Sequence, residues 1–319
     1  MLQPKIKKIS VVSYNPDWPN MFETEARTIK EALGDKCIAI HHVGSTSVPG
    51  LAAKPKIDII AAVRHPSECI VALQQTSYVY KGEWNIPFQY GFSKRGTVNV
   101  NLHLFEDNHP EIELNLSFRD FLRSHPNARG EYAAIKQNLL QDPASFEKNS
   151  AMFTGYNLGK DAFIRRTLKE SGFSKIRFLR CTHYKEWEKA KLFRQKYFFD
   201  LVKIDDPYTW TFNHDLHLHF VLYEGTEVIG YSHIQIWSDE RVAMRIIVID
   251  EDKRNKDFGS KFLSLIEKWL RKENYAKVHV ESSREALQFY RQNGYVDLAF
   301  DDPDGYKSDP RDIPVGKLL

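Results

Sequence analysis

The chain has 319 residues, with 42% hydrophobic and 27% charged side chains and a formal net charge of +3. Such a composition belongs to folded domains, two of them at this length, and argues against a disordered or coiled-coil chain. A charge this small gives no indication of a nucleic-acid partner. No apolar run approaches the length of a membrane span, Ile57–Val63 being typical, and the opening Met1-Leu2-Gln3-Pro4-Lys5 has no apolar signal core. The three cysteines, Cys37, Cys69 and Cys181, form no Cys-x-x-Cys pair, which fits a reducing compartment and no cysteine-built zinc site. A cytoplasmic protein is expected, with no membrane association.

In chain order, residues 14–19 form a turn-rich lead into a helix over 21–33. The stretch from His42 to Asp58 follows, with Gly44 and Ser45 in it, and then Ile57–Val63 reads as a buried strand. Residues 98–104 alternate, with Val98, Val100, Leu102 and Leu104 opposite Asn99, Asn101 and His103. Ile112, Leu114, Leu116 and Phe118 alternate again, opposite Glu113 and Asn115. The reading is an antiparallel hairpin with one polar face. That face would join Ser45 and Asp58 in one pocket, with Glu113 as a second carboxylate. A solvated sheet face is the equal alternative. A helix carrying Phe163, Ile164 and Leu168 ends at Gly172, where the first domain is placed to end (1–172). Residues 1–172 carry 21 basic and 18 acidic side chains, and 173–319 carry 24 of each.

The second domain is expected over 175–319. A strand starts at Ile176, and His217 to Tyr223 pairs through a Glu224-Gly225 turn with a strand from Glu227 to Trp237. Arg241–Ile249 is a third strand, and a polar loop from Asp250 to Gly259 precedes an amphipathic helix bearing Phe262, Leu265, Ile266, Trp269 and Leu270. A strand over 277–281 and a helix over 284–293, closed by Gly294, complete the unit. Strand, basic glycine-bearing loop and helix form a cradle for phosphate, because exposed N–H groups and the helix dipole favour an anion there. His214, His217 and His219 read as a polar strand edge rather than metal ligands, for no carboxylate or cysteine completes a set. Asp301 to Asp304 reads as a solvated loop.

The loop Arg254-Asn255-Lys256-Asp257-Phe258-Gly259 and the later Ala286-Leu287-Gln288-Phe289-Tyr290-Arg291-Gln292-Asn293-Gly294-Tyr295 resemble the two motifs of the GNAT N-acyltransferases. The resemblance implies a mixed sheet flanked by helices and acetyl-CoA as cofactor. It implies that amides around Ile247 and Ile249 hold the cofactor, that Arg254, Asn255, Lys256, Asp257, Phe258, Gly259 and Ser260 wrap its pyrophosphate, and that Tyr290 protonates the leaving thiolate. Asp257 stands where the family usually has glycine, and Ser283 where it often has asparagine. Glu227, His233 and Arg245 are the candidates for the group that takes the amine proton, each set against a strand face in water. The acceptor is a small-molecule or protein amine of unread identity, and Trp210, Phe212 and Trp237 either line its pocket or pack the core. Oligomeric state is not legible.

Tyr14-Asn15-Pro16-Asp17-Trp18-Pro19, the stretch from His42 through Gly44-Ser45-Thr46 to Pro55, His103, the stretch from Phe118 to Pro126, and Tyr132 with Lys136 resemble the GrpB-like family over nearly all of 8–170. That resemblance implies a nucleotidyltransferase-like mixed sheet with helices. In such a site Gly44 and Ser45 meet a triphosphate, strand carboxylates bind Mg²⁺, and Lys54 and Lys56 contact phosphate. Asp58 is the first such carboxylate, but the usual second position is Ile60, so the metal set is incomplete. His103, Arg119 and Asp120 complete the implied site. Some members are labelled dephospho-coenzyme A kinases. The Gly-x-x-x-x-Gly-Lys-Ser/Thr loop such a kinase needs is absent from this sequence. The expectation is therefore an α+β/α/β fusion. Its second half acetylates a primary amine by direct attack, and its first half either binds a ligand or transfers a nucleotidyl group.

Overall fold

The computed structural model describes residues 10–147, 153–305 and 309–319. Two compact units divide the chain, Met1–Arg177 and Phe178–Leu319, so the division falls inside a strand just past Gly172.

In the first unit α1 (Trp18–Leu33) leads to β1 (Cys37–Val43), β2 (Ile57–Val63), α2 (Ile70–Gln74), β3 (Val79–Gly82), β4 (Tyr90–Lys94) and β5 (Val100–Glu106). Four helices follow: α3 (Pro110–Ser124), α4 (Pro126–Gln141), α5 (Gly155–Leu158) and α6 (Asp161–Glu170). The sheet order is β1-β2-β5-β4-β3, with only the β2–β5 pair parallel. Apart from Asp58, β2 is apolar because both its faces are covered. Ile57, Ile59 and Val63 pack with Trp18, Ile29 and Leu33 of α1, while Ile60 and Ala62 pack with Phe105 and Ile112 on the other side.

One expected strand is a helix. Residues 112–118 lie in α3, not in a hairpin with β5. Pro110 enters the first turn, the His109 side chain accepts from the Glu111 amide, and Glu111 and Glu113 sit at the positive helix end. Ile112 and Leu122 are its buried apolar positions, and the apparent alternation covered less than half of the segment. Glu113 is exposed and paired with Lys175 at 3.2 Å, so it is not a second carboxylate beside Asp58.

In the second unit β6 (Ile176–Arg180) and α7 (Tyr184–Arg194) precede β7 (His217–Glu224), β8 (Glu227–Ile236) and β9 (Arg241–Ile249). Then come α8 (Phe258–Lys272), β10 (Lys277–Ser282), α9 (Arg284–Gln292), β11 (Val296–Asp297) and β12 (Ile313–Leu318). The sheet order is β11-β12-β10-β9-β8-β7-β6. Phe220 of β7 packs between Phe178 and Trp269 at 5.0 and 5.1 Å, which fixes α8 on that face. The opposite face of β7 and β8 carries His217, His219, Tyr231, His233 and Gln235, all buried. It was expected to be a wet strand face. Tertiary structure buries it because α7 runs on into a π-helical turn, Gln195–Phe199, and a further stretch to Asn213 packs across it. Single π turns of this kind recur at functional sites.

Candidate active site

β9 and β10 are parallel neighbours only from Arg241 to Ala243, opposite Lys277 to His279. Beyond Ala243 the two strands part, while β10 continues on β12. The last residues of β9, Ile247 and Ile249 among them, therefore have no β10 partner, and the notch opens toward the loop before α8. Strand backbone without a neighbouring strand is left to hydrogen-bond with other groups in the notch. In the loop, Asn255 and Asp257 have φ of 60° and 57°. That left-handed backbone costs a residue with Cβ roughly 1–2 kcal/mol, which explains a glycine preference at Asp257. Asp257 is exposed, as are Arg254, Asn255 and Lys256. Arg254 folds back, its Nε donating to the Ile249 carbonyl at 3.1 Å. Phe258, Gly259 and Ser260 begin α8 and are half-buried. A Cβ on Gly259 would lie 3.2 Å from the Phe289 ring, so this glycine admits helix α9 as a neighbour rather than opening space for a ligand.

Tyr290 is positioned by the chain that follows it. Gly294, at φ 84°, lets the Tyr295 amide donate back to the Tyr290 carbonyl at 3.1 Å and the Gly294 amide to Arg291 at 3.1 Å. This Schellman closure stacks Tyr295 edge-on against Tyr290 at 5.3 Å. Ser283 caps the start of the same helix through the Ala286 amide. Tyr290 is buried, and burial pushes its phenol pKa upward. Among the described residues its hydroxyl makes no hydrogen bond, so its proton is available.

A cavity of about 460 Å³ opens beside β8 and β9. Phe198, Phe199, Tyr208, Trp210 and Phe300 give it aromatic walls, and Glu281, Asp309 and Asp312 give it carboxylates. Trp210 lines it, whereas Phe212 and Trp237 do not. Arg245 also faces the cavity but is neutralised by Asp302, and Asp304 accepts from Gln235 at 2.7 Å. The loop at 301–304 is thus tied to the cavity wall, not simply solvated. Glu281 was missed by sequence reading. It is half-buried, and burial pushes its carboxyl up to about 7 against the pull of Arg245, with Asp312 and Asp302 adding to the rise.

Behind the wall lies a closed polar network. Arg194 is 1% exposed and forms a bidentate pair with Asp206 at 2.7 and 2.9 Å. Its Nη1 also points at His233 Nδ1, 3.3 Å away. A guanidinium only donates, so that nitrogen accepts and the His233 proton sits on Nε2. Nε2 donates in turn to His217 Nδ1 at 2.7 Å. Burial holds both rings neutral, His217 down at about 4 and His233 well below the usual histidine range. His233 therefore has no vacant nitrogen to take an amine proton, and His217 offers only an N–H. Glu227 is also corrected, for it is exposed at the β7–β8 turn opposite Glu224 and does not line the cavity.

In the first unit, Asp58 pairs in register with Asn101 of β5, whose Nδ2 donates to it at 3.0 Å, and Lys56 lies 3.5 Å away. His103 shares that sheet face two residues on, with Nδ1 hydrogen-bonded to Gln89 and its pKa lowered by burial. Gly44 has φ 71° and ψ −174°, a conformation essentially confined to glycine. A Cβ there would meet Asp58 Oδ2 at 2.8 Å. The histidine and threonine of the His42–Thr46 stretch hold this turn. Thr46 Oγ1 donates to the Lys56 carbonyl, so it accepts from His42 Nε2 at 3.1 Å. Gly44, Ser45, Lys54, Lys56, Asp58 and His103 thus form one neighbourhood. Arg119 and Asp120 bond each other, and Arg119 holds the His42 carbonyl, so these two brace β1 instead. Sequence reading missed Lys160 altogether and quoted Lys136 without a role. Lys136 is 3% exposed and donates to Ser45 Oγ at 3.2 Å and to the Ala52 carbonyl. Ile60, at the usual second metal-carboxylate position, is buried in the core. Among the described residues no group of three or more His, Cys, Asp or Glu converges, so the donor set does not fit a carboxylate-held Mg²⁺.

The sequence profile of the GrpB protein family matches residues 8–170, just over half of the chain. The chain belongs to the GrpB family. A second profile, the acetyltransferase (GNAT) domain, matches residues 215–297. This GrpB protein therefore carries a GNAT acetyltransferase domain behind its family domain. It is 38% identical over 169 residues to the UPF0157 protein YqkA of Bacillus subtilis, covering 51% of this chain and 47% of that protein. It thus spans about half the length of that relative. Among solved structures it resembles GrpB from Enterococcus faecalis, with 33% identity, 51% of this chain and 96% of that one covered, and a TM-score of 0.45. It also resembles an N-acetyltransferase from Thermoplasma acidophilum in complex with coenzyme A, with 13% identity, coverage of 46% and 99%, and a TM-score of 0.36. No helix among the described residues is long and apolar enough to cross a membrane.

Proposed function

We propose that the second unit is an acetyl-CoA-dependent N-acetyltransferase acting on a cationic primary amine by direct attack. The carrying observation is the parting of β9 and β10 beside a carboxylate-lined cavity, in a domain that matches the GNAT profile. Bound acetyl-CoA supplies an acetyl group activated as its thioester. The β9 backbone near Ile247 and Ile249 orients the cofactor, and the Asp250-to-Ser260 loop with the N-terminal end of α8 receives its pyrophosphate. Glu281 and Asp312 draw a protonated amine into the cavity, Asp309 being paired with Arg311, and the aromatic walls shed its water. Glu281 takes the amine proton, because a carboxyl raised to about 7 is half ionised at neutral pH and still basic enough to accept it. Tyr290 holds its own proton at Oη for the departing sulfur. Cys181, the cysteine of this unit, is buried and does not line the cavity, so no thiol takes up the acetyl group first.

The test is binding. A ligand taken up only by the folded chain must raise its stability, by about 2.7 kcal/mol at 100 times Kd. Acetyl-CoA is expected to raise the melting temperature, and a thiol reagent should detect CoA release once a suitable amine is added. An unchanged melting temperature at millimolar acetyl-CoA would end this reading.

A further inference from the structure

The lysines of the first unit go beyond the acetyltransferase reading and do not rest on it. Lys54 and Lys160 both stand over the Tyr156 ring, their Nζ atoms 4.4 and 4.7 Å from one centroid. Lys136 reaches Ser45 from α4 and lies 4.7 Å from the centroid of Tyr132. Lys56 completes the group beside Asp58. Four ammonium groups from three parts of the chain thus gather in one region, Lys136 touching Ser45 and Lys160 lying in the field of Lys54, Lys56 and Asp58. Lys54, Lys56 and Lys160 are half-buried and remain within reach of a ligand. The charges act on one another. Burial, and then Lys160, pushes Lys136 down to about 7. Burial, Lys54 and Lys56 push Lys160 down to about 8, against the opposing pull of Asp58.

Gathering cations at a half-buried site is unfavourable unless an anion joins them. In a nucleotidyltransferase the anion is held through a metal on several carboxylates. Here the proportion is inverted, with Asp58 as the strand carboxylate, Ile60 in place of a second, and lysines around them. We propose that this site binds a phosphoryl-bearing small anion directly on Lys54, Lys56, Lys136 and Lys160, with Ser45 as an additional hydrogen-bond partner and no metal ion. A phosphoryl group suits it because several oxygens and up to two charges can meet several point-charge donors at once.

The experiment is titration calorimetry on the full chain, using inorganic phosphate, pyrophosphate and ATP, each in EDTA and again in MgCl2. The Lys54→Gln and Lys160→Gln chains keep the acetyltransferase loop intact, so the heat they lose belongs to this site and not to that loop. Binding of at least one probe in EDTA is expected. Equal affinity for pyrophosphate and ATP would identify the phosphoryl group as the whole determinant, and a preference for ATP would identify the tail of a nucleotide; both support the site. Lys160→Gln and Lys54→Gln should each weaken binding about tenfold while leaving the ligand-free melting temperature in place. Both residues are half-buried, which makes them safer probes than the buried Lys136. The proposal is overturned if no probe binds, if binding vanishes in EDTA, or if both variants bind as tightly as the parent chain.

Discussion

Substitution of Glu281 by glutamine tests the assignment of the proton acceptor, because the residue's environment fixes a pH signature. The carboxyl is raised to about 7, so it is about one-tenth ionised at pH 6 and nine-tenths at pH 8. The acceptor arrives as an ammonium ion, with a pKa of about 10 for an ordinary primary amine, and gives its proton to the Glu281 carboxylate. kcat/KM should therefore rise with a log–log slope of about 1 below pH 7 and level off between about 7 and 10, a gain of about tenfold from pH 6 to 8. Without the carboxylate, Glu281→Gln can use only amine that has already lost its proton, so its kcat/KM should climb with a straight slope of about 1, about 100-fold over the same range, and be roughly 10²- to 10⁴-fold lower at pH 8. The assay is initial-rate CoA release at constant ionic strength. A variant that keeps the bend near pH 7 would refute the reasoning, whatever its absolute rate. The same carboxyl should destabilise the folded chain as pH rises. Its protonated form is favoured by the fold, so its contribution is present below about 4.5 and lost through about 7. In the variant, this part of the melting-temperature fall is expected to disappear.

Tyr290→Phe should lower kcat strongly while changing acetyl-CoA affinity less than threefold, since the ring still packs on Tyr295; equal losses in both would mark a packing role only. Arg194→Met leaves Asp206 buried without its partner and should cost about 3–5 kcal/mol in denaturant unfolding. The double variant Arg194→Met with Asp206→Leu should recover most of that loss, and no recovery would mean that the pair is not the source. Gly44→Ala and Gly50→Ala both place a side chain at positive φ, but only the first meets Asp58; nothing lies within 4 Å of a Cβ at Gly50. Gly44→Ala should therefore be the more destabilising, and Asp58→Ala in the same chain should relieve the excess, giving a coupling of roughly 0.5–3 kcal/mol. Strict additivity would show that the turn and the carboxylate are independent.

Local chemistry made much of this protein legible in its sequence. β2 could be read from the apolar run that follows Asp58 because both its faces are buried there, and α8 from a stripe that one face of the sheet covers. Tyr290 and its motif were readable because Gly294 and Tyr295 act within one helix end, a matter of neighbours in the chain. The turn from Gly44 to Thr46 was legible as a motif for the same reason. Its glycine, however, is required by Asp58, which only the pairing of β1 with β2 brings close. α3 was misread because four alternating apolar residues fit a strand and a helix alike until the cap at His109 and the burial of Leu122 decide between them.

Contacts distant in sequence were decided by tertiary structure alone. Glu281 has no motif, and its raised carboxyl pKa follows from burial beside residues drawn from β9 and the loop before β12. His233 looked like a base because its strand alternates, but Arg194, from a helix 39 residues earlier, fixes its tautomer and uses its free nitrogen. Lys160 carries no local pattern and Lys136 no readable role, and only α4 and the stretch before α6 bring them to Ser45 and to the Tyr156 ring. Sequence by itself determined the two families and most of the elements the motifs sit on, because backbone preference and side-chain periodicity act over a few residues. The fold alone decided which ionisable groups lose their water and which charges they face, and those two conditions set what each group can do.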